Sequence, residues 1–305
     1  MGQKLFKTGL IIRNLSIMTC LIFIPLSVFS QQKIKLWDGP GVTREQKYSA
    51  LIVFLPEKPN TSGISVIICP GGSYYWLDMD NEGFSVAKYL SKEGITSFVL
   101  KYRTARWGNH YPAMIQDLER AMQLVKTNSR KYGIDPEKIG VMGFSAGGHL
   151  AGTAAVYSNP KPYFAAMIYP VISMEDSICH RRSRHNLLGG NYSEELEHKM
   201  SLELNVPGDM PPIFLLHCTG DKTVDCRNSI VFDRALTDKN VKHEFLLLDE
   251  NGHGGHGFGI QPNGKATGWI NEFLKWLNAL QSSKIPLTHY LPLTIDYQNE
   301  YRVSI

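Results

Sequence analysis

The stretch Ile139-Gly-Val-Met-Gly-Phe-Ser-Ala-Gly-Gly-His149 decides the fold. Its first four residues are a short apolar run that reads as a buried strand. The run leads into Gly143-Phe144-Ser145-Ala146-Gly147, a G-x-S-x-G pattern, and a small-residue helical pattern follows over 146–157. Strand, sharp turn and helix in succession are the setting in which this pattern presents a reactive serine. The turn forces Ser145 into a strained backbone conformation with its hydroxyl above the sheet edge, and a side chain at Gly143 or Gly147 would crowd it. The helix N-terminus aims its amides at the same point, where negative charge is stabilised. Outside that setting the pattern is only a glycine-rich turn with an incidental serine.

On either side of this stretch, short β-like runs alternate with helical ones. Strands are expected at 50–55, 64–69, 95–100, 164–169, 213–217 and 244–248, and helices at 82–92, 112–131, 228–238 and 265–280. Pro112 suits the first turn of its helix. The alternation predicts an α/β fold with a mostly parallel central sheet and helices on both faces. There is no internal repeat and no interdomain linker, so residues 31–283 read as one domain. The connection 171–209 is longer than a usual loop in such a fold. With a short helical piece near 193–200, it reads as a cap insertion over the C-terminal edge of the sheet. Residues 284–305 form a tail without an assigned role.

The 305 residues, 43% hydrophobic and 20% charged, are ordinary for a globular protein. The first 30 stand apart. Lys4, Lys7 and Arg13 precede an apolar run over 15–29, acidic residues are absent, and the small residue Ser30 follows. This is the pattern of a secretory signal peptide cleaved after Ser30, which implies a secreted or periplasmic protein. The run is short for a membrane span and is broken by Pro25, so no span is expected after cleavage. The lead-in to Cys20 suits lipid attachment poorly. Loss of the three basic residues takes the formal net charge from +4 to +1, which leaves no case for a nucleic-acid partner. Cys69, Cys179, Cys218 and Cys226 remain, in a compartment that permits disulfides. Their spacing matches no zinc pattern, and Cys69 and Cys218, at strand ends, read as buried thiols.

A serine hydroxyl needs a base to take its proton and a carboxylate to hold that base in one tautomer. Two later stretches qualify, both where loops leave the C-terminal ends of strands. Cys218-Thr-Gly-Asp221-Lys-Thr-Val224 follows the strand at 213–217. Asp221 fits the carboxylate better than Asp209, Asp225 or Asp249, because Asp225 suits the start of the next helix and Asp249 lies too close to the histidine loop. Gly252-His-Gly-Gly-His256-Gly-Phe-Gly259 supplies two candidate bases, His253 and His256. No third ligand sits at metal spacing, so neither metal nor cofactor is expected. His149 and His217 read as packed residues. Developing negative charge also needs amide donors. One is the amide of Ala146, and the glycine-rich loop Cys69-Pro-Gly-Gly-Ser-Tyr74 is the other source.

These pieces resemble the α/β-hydrolase esterases of the bifunctional feruloyl and acetyl xylan esterase type. The resemblance runs from about Trp37 to Leu280 and includes Asn81-Glu-Gly83, Val99-Leu-Lys-Tyr-Arg103, Asp117-Leu-Glu-Arg-Ala121, Asn186-Leu-Leu-Gly189 and Asp221-Lys-Thr-Val224. It implies Ser145 as nucleophile, Asp221 as acid and His256 as base, since the family's histidine directly precedes Gly-Phe. It implies an oxyanion hole from the amides of Gly72, Ser73 and Ala146. Where Ser73 stands, the family usually has a third glycine.

The implied activity is hydrolysis of short acyl esters, chiefly acetyl, on a plant polysaccharide such as xylan. A general carboxylesterase or an exported serine peptidase of the same fold is the alternative. Tyr74, Tyr75 and Trp76, just past the glycine loop, are expected to offer aromatic faces to a sugar, or else to pack under the cap. His180-Arg-Arg-Ser-Arg184 reads as a solvated basic turn, with reach toward an acidic sugar as the alternative.

Overall fold

A computed structural model describes residues 32–175, 177–248, 255–260 and 268–282. Among the described residues eight strands form, in chain order β1 (Gln32–Lys35), β2 (Ala50–Phe54), β3 (Ser65–Cys69), β4 (Thr96–Lys101), β5 (Ile139–Phe144), β6 (Ala165–Ile168), β7 (Ile213–Cys218) and β8 (His243–Leu248). They form one sheet in the order β1-β2-β4-β3-β5-β6-β7-β8. Only the β1–β2 and β2–β4 pairings are antiparallel. The expected α/β-hydrolase architecture, a mostly parallel sheet between helices, is the one observed.

Successive strand residues point to opposite faces, and each face has its own core. Ile67, Phe98, Leu100 and Val141 join one cluster with residues of α2 (Ala113–Thr127), α4 (Ala146–Tyr157) and α7 (Arg227–Asp238). Val66, Ile68, Val99 and Met142 join the other, with α1 (Ser85–Lys92) and α8 (Trp269–Gln281). In the second core, Phe164, Phe214, Phe273 and Trp276 have ring centroids 5.5–6.1 Å apart. Truncating one such ring to Ala costs about 3–5 kcal/mol. Strands buried on both faces carry near-continuous apolar runs, as in Ser65-Val-Ile-Ile-Cys69 and Ile213-Phe-Leu-Leu-His-Cys218, whose residues are all buried.

Strand order reverses between β3 and β5. The chain leaves β3 toward β4 on one side and returns to lay β5 on the other. The loops at the C-terminal ends of these two neighbours therefore diverge and open a crevice, where ligands bind in sheets of this kind.

The long helix expected over 112–131 divides into α2 and a short α3 (Ser129–Tyr132), where the Asn128 amide side chain bonds the Leu124 carbonyl. Between β6 and β7 the chain forms α5 (Arg181–Leu188) and α6 (Glu194–Met200). The basic run after His180 is thus the start of a helix rather than a turn. Arg184 pairs with Glu197 at 3.2 Å and donates to the Met174 carbonyl at 2.9 Å, which turns it inward. Strand β1 is an addition to the expected elements. Among the described residues no disulfide forms, and Cys69 and Cys218 are buried. No described helix is long and apolar enough to cross a membrane.

Candidate active site

Ser145 stands at the end of β5, the central strand of the crevice, with φ 54° and ψ −121°. Its amide donates to the Ile168 carbonyl at 3.0 Å and its carbonyl accepts from Val171 at 3.2 Å. These bonds hold the strained residue from the neighbouring strand. The glycines around it are sterically required. A Cβ on Gly143 would overlap the Gly147 carbonyl, and one on Gly147 would overlap the Cys69 carbonyl. Helix α4 thereby packs its first turn directly against the end of β3.

The structure brings Ser145, Asp221 and His256 together. The Ser145 Oγ lies 2.9 Å from His256 Nε2, and His256 Nδ1 lies 2.7 Å from Asp221 Oδ2. Nδ1 faces a carboxylate and carries the proton, which leaves Nε2 free to accept from the serine. Asp221 also accepts from the amides of Thr223 and Val224, at 2.8 and 2.9 Å, and from His217 Nε2 at 3.2 Å. Burial alone would raise the Asp221 pKa. The hydrogen bonds from His217, His256 and Val224 outweigh it and hold the carboxyl well below the usual range. The competing Asp225 instead accepts from the Arg227 amide at the start of α7, and Asp209 pairs with Lys161 at 3.5 Å. Asp249 and His253 lie outside the described residues.

The glycine loop after β3 meets this group. A Cβ on Gly71 would come within 2.9 Å of the Ser145 Cβ, and Gly72, at φ +130°, leaves no room for one against the Trp76 carbonyl. Ser73 adopts φ 55°, a left-handed conformation that glycine takes at no cost. Its carbonyl accepts from Asn186 of α5 at 2.7 Å. Ala146 is fully buried in the first turn of α4, directly after the serine.

The three aromatic candidates separate. Tyr75 and Trp76 are 40% and 47% exposed, whereas Tyr74 is fully buried. The left-handed Tyr74, φ 58°, turns its ring inward, where its hydroxyl lies 2.8 Å from His149 Nδ1. Tyr74 therefore cannot present a face to a sugar; it is a packing residue. His149 Nε2 donates to the Met200 carbonyl at 2.7 Å, and burial lowers its pKa to about 4, so the ring is neutral.

One feature went unread in the sequence. Glu82, 3% exposed, accepts from the Gly71 amide at 2.7 Å and from the Tyr169 hydroxyl at 2.8 Å. Tyr169 in turn accepts from the Gly259 amide at 3.2 Å, and its ring lies 4.7 Å from that of His256. Burial pushes the Glu82 carboxyl up to about 7, partly offset by its hydrogen bonds. Nearby, Asn81 donates to the Gly257 carbonyl at 2.7 Å. A carboxylate and an amide from one short segment thus tie the glycine loop to the histidine loop. Asn81-Glu-Gly83 signalled this segment, but not its distant partners. Among the described residues no group of three or more His, Cys, Asp or Glu could hold a metal.

The BD-FAE family profile matches residues 51–166. The chain is similar to an acetyl ester-xyloside bifunctional hydrolase of known structure from Caldicellulosiruptor lactoaceticus. Identity is 30%, the TM-score 0.72, and the match covers 82% of this chain and 96% of that one. It is 30% identical over 266 residues to an acetylxylan esterase of Xylanibacter ruminicola, covering 85% of this chain and 51% of the relative. It is 29% identical over 231 residues to endo-1,4-beta-xylanase B of Butyrivibrio fibrisolvens, covering 69% of this chain and 36% of the relative. The chain thus spans about half or less of the length of these curated relatives. With the expected sheet and motifs in place, the chain belongs to the BD-FAE family of α/β-hydrolase esterases.

Proposed function

We propose that this chain is an exported serine esterase that removes short acyl groups, chiefly acetyl, from a plant polysaccharide such as xylan. The observation that carries the reading is the hydrogen-bonded line Ser145–His256–Asp221, built on a strained turn at the switch point of the sheet. His256 takes the Ser145 proton as Oγ attacks the acyl carbonyl carbon. The amides of Ala146, Gly72 and Ser73 donate to the oxygen as it becomes negative. His256 then gives its proton to the departing sugar hydroxyl, and the acyl group stays on Ser145. Water, deprotonated by His256, attacks the acyl carbon; the bond to Ser145 Oγ breaks, Oγ takes the proton back from His256, and the acid is released. Asp221 keeps the proton on His256 Nδ1 and offsets the imidazolium charge.

The acetylxylan esterase and xylanase similarities support the carbohydrate part of the reading, and the basic, apolar first 30 residues support export. Acetate release from acetylated xylan, compared with hydrolysis of methyl ferulate and of nitrophenyl esters of increasing chain length, tests it. We expect acetate release, and a loss of at least about a thousandfold in kcat on Ser145→Ala. Preference for long acyl chains with no acetate released from any glycan would overturn the substrate class. Undiminished activity of Ser145→Ala would overturn the mechanism.

A further inference from the structure

Seven large apolar side chains stand exposed among the described residues, and four of them, Tyr48, Tyr75, Trp76 and Trp107, line one groove of about 620 Å³. Scattered exposed aromatics need no explanation, but a gathering of this kind marks a binding surface. Trp107 is 68% exposed, on a short 3-10 turn after β4. The groove is also basic. Arg44, Lys101 and Arg106 line it against one carboxylate, Glu45, while Arg103 is committed to the buried Asp117 at 2.9 Å. Arg106 lies over the Trp107 ring, 5.7 Å from its centre.

The groove adjoins the glycine loop of the candidate active site. Tyr75 and Trp76 hang from the same turn as Gly72, whose carbonyl accepts both their amides, at 3.0 and 3.1 Å. Only Tyr74 separates Ser73 from Tyr75, a reach of at most about 7 Å. On its other side Tyr75 meets Arg182 of α5, which lies 5.5 Å from the ring centre. The Tyr75 ring therefore lies between the groove and α5.

Flat aromatic faces suit the apolar faces of sugar rings, and guanidinium groups suit carboxylates. We propose that this groove holds the glycan chain that bears the ester, with sugar rings on Trp76 and Trp107 and the carboxylate of an acidic sugar against Arg44 and Arg106. The assignment rests on the esterase reading above and extends it from the ester to the chain beyond it. It names the glycan as acidic, which that reading does not.

The test uses ester-free ligands, so that binding is read apart from catalysis. Xylo-oligosaccharides with and without a glucuronic acid branch, both without acetyl groups, are titrated into the whole protein by calorimetry. We expect the acidic oligosaccharide to bind more tightly than the neutral one. Trp107→Ala should weaken both by about tenfold, and Arg106→Gln should abolish the difference between them. Thermal unfolding checks that each variant is folded, and the exposure of Trp107 makes its replacement tolerable. No binding of either sugar, equal binding of the two, or unchanged binding in Trp107→Ala would overturn the proposal. Nitrophenyl acetate hydrolysis by the wild-type protein reports separately on the esterase reading, since a small ester has no glycan to place in the groove.

Discussion

The Glu82 carboxylate joins two loops that the chain places far apart, accepting from the Gly71 amide with one oxygen and from the Tyr169 hydroxyl with the other. Burial raises its pKa from 4.5 to about 7. A carboxyl with a raised folded pKa stabilises the fold most when protonated, so its contribution is complete below about pH 4.5 and is lost as pH rises through about 7. Glu82→Gln keeps an acceptor and loses the titration. We expect urea unfolding of the wild type to weaken between pH 5 and pH 8 and that of Glu82→Gln to change less. Equal pH slopes would contradict this. Glu82→Ala, which leaves the Gly71 amide and Tyr169 hydroxyl without this partner, should cost about 2–4 kcal/mol at pH 5 and less at pH 8, where the wild type has lost the contribution of the protonated carboxyl.

Asp221 titrates in the opposite sense. Its folded pKa is depressed, so its stabilisation is present above the ordinary value near 3.8 and is lost as pH falls toward the folded one. The stability difference between wild type and Asp221→Asn should therefore be constant above about pH 5 and close below about pH 4. The same variant should lose at least about a thousandfold in kcat, because an amide facing Nδ1 favours the wrong imidazole tautomer. Denaturant unfolding across pH and steady-state kinetics at pH 7 read the two effects independently.

Much of this arrangement was legible because it is local. Glycines around a serine between a strand and a helix, and an aspartate and a histidine just past strand ends, mark themselves within a few residues. What escaped is set by distance or by orientation. Glu82 meets Tyr169 from 87 positions away. Nothing in Ser73-Tyr-Tyr-Trp76 says that the backbone will turn the first tyrosine inward and leave Tyr75 and Trp76 outside. Strand β1 has only Ile34 as an apolar residue, because an exposed edge strand needs no buried face. Helix α5 hides behind its charged first turn, and its buried Leu187 and Leu188 come only at the end.

Ser73 occupies a left-handed conformation without the residue best suited to it. Ser73→Gly should therefore stabilise the protein by about 1 kcal/mol, or about 2–4 °C in Tm, where a glycine substitution elsewhere would destabilise it. Its carbonyl, and so the bond from Asn186, is unaffected. Differential scanning calorimetry checks this, and a lowered Tm would mean that the serine side chain makes compensating contacts.

His256 reaches both Ser145 and Asp221, whereas His253 lies outside the described residues. His256→Gln should cut kcat by at least about a thousandfold, and His253→Gln should leave it within a fewfold of wild type. The reverse ranking in a nitrophenyl acetate assay would transfer the base to His253.

The buried Tyr74–His149–Met200 chain has a consequence for how an ester reaches the serine. Tyr74 belongs to the glycine loop, His149 to the helix behind the serine, and the Met200 carbonyl to the end of α6. Asn186 adds a second fastening, from α5 to the Ser73 carbonyl. The two helices between β6 and β7 cannot lift as a hinged cover without breaking these polar bonds, and each such loss costs about 1–3 kcal/mol. They act as a fixed door frame. The width of the opening is built into the fold, and selection among esters falls to the shape of the doorway rather than to the closing of a door.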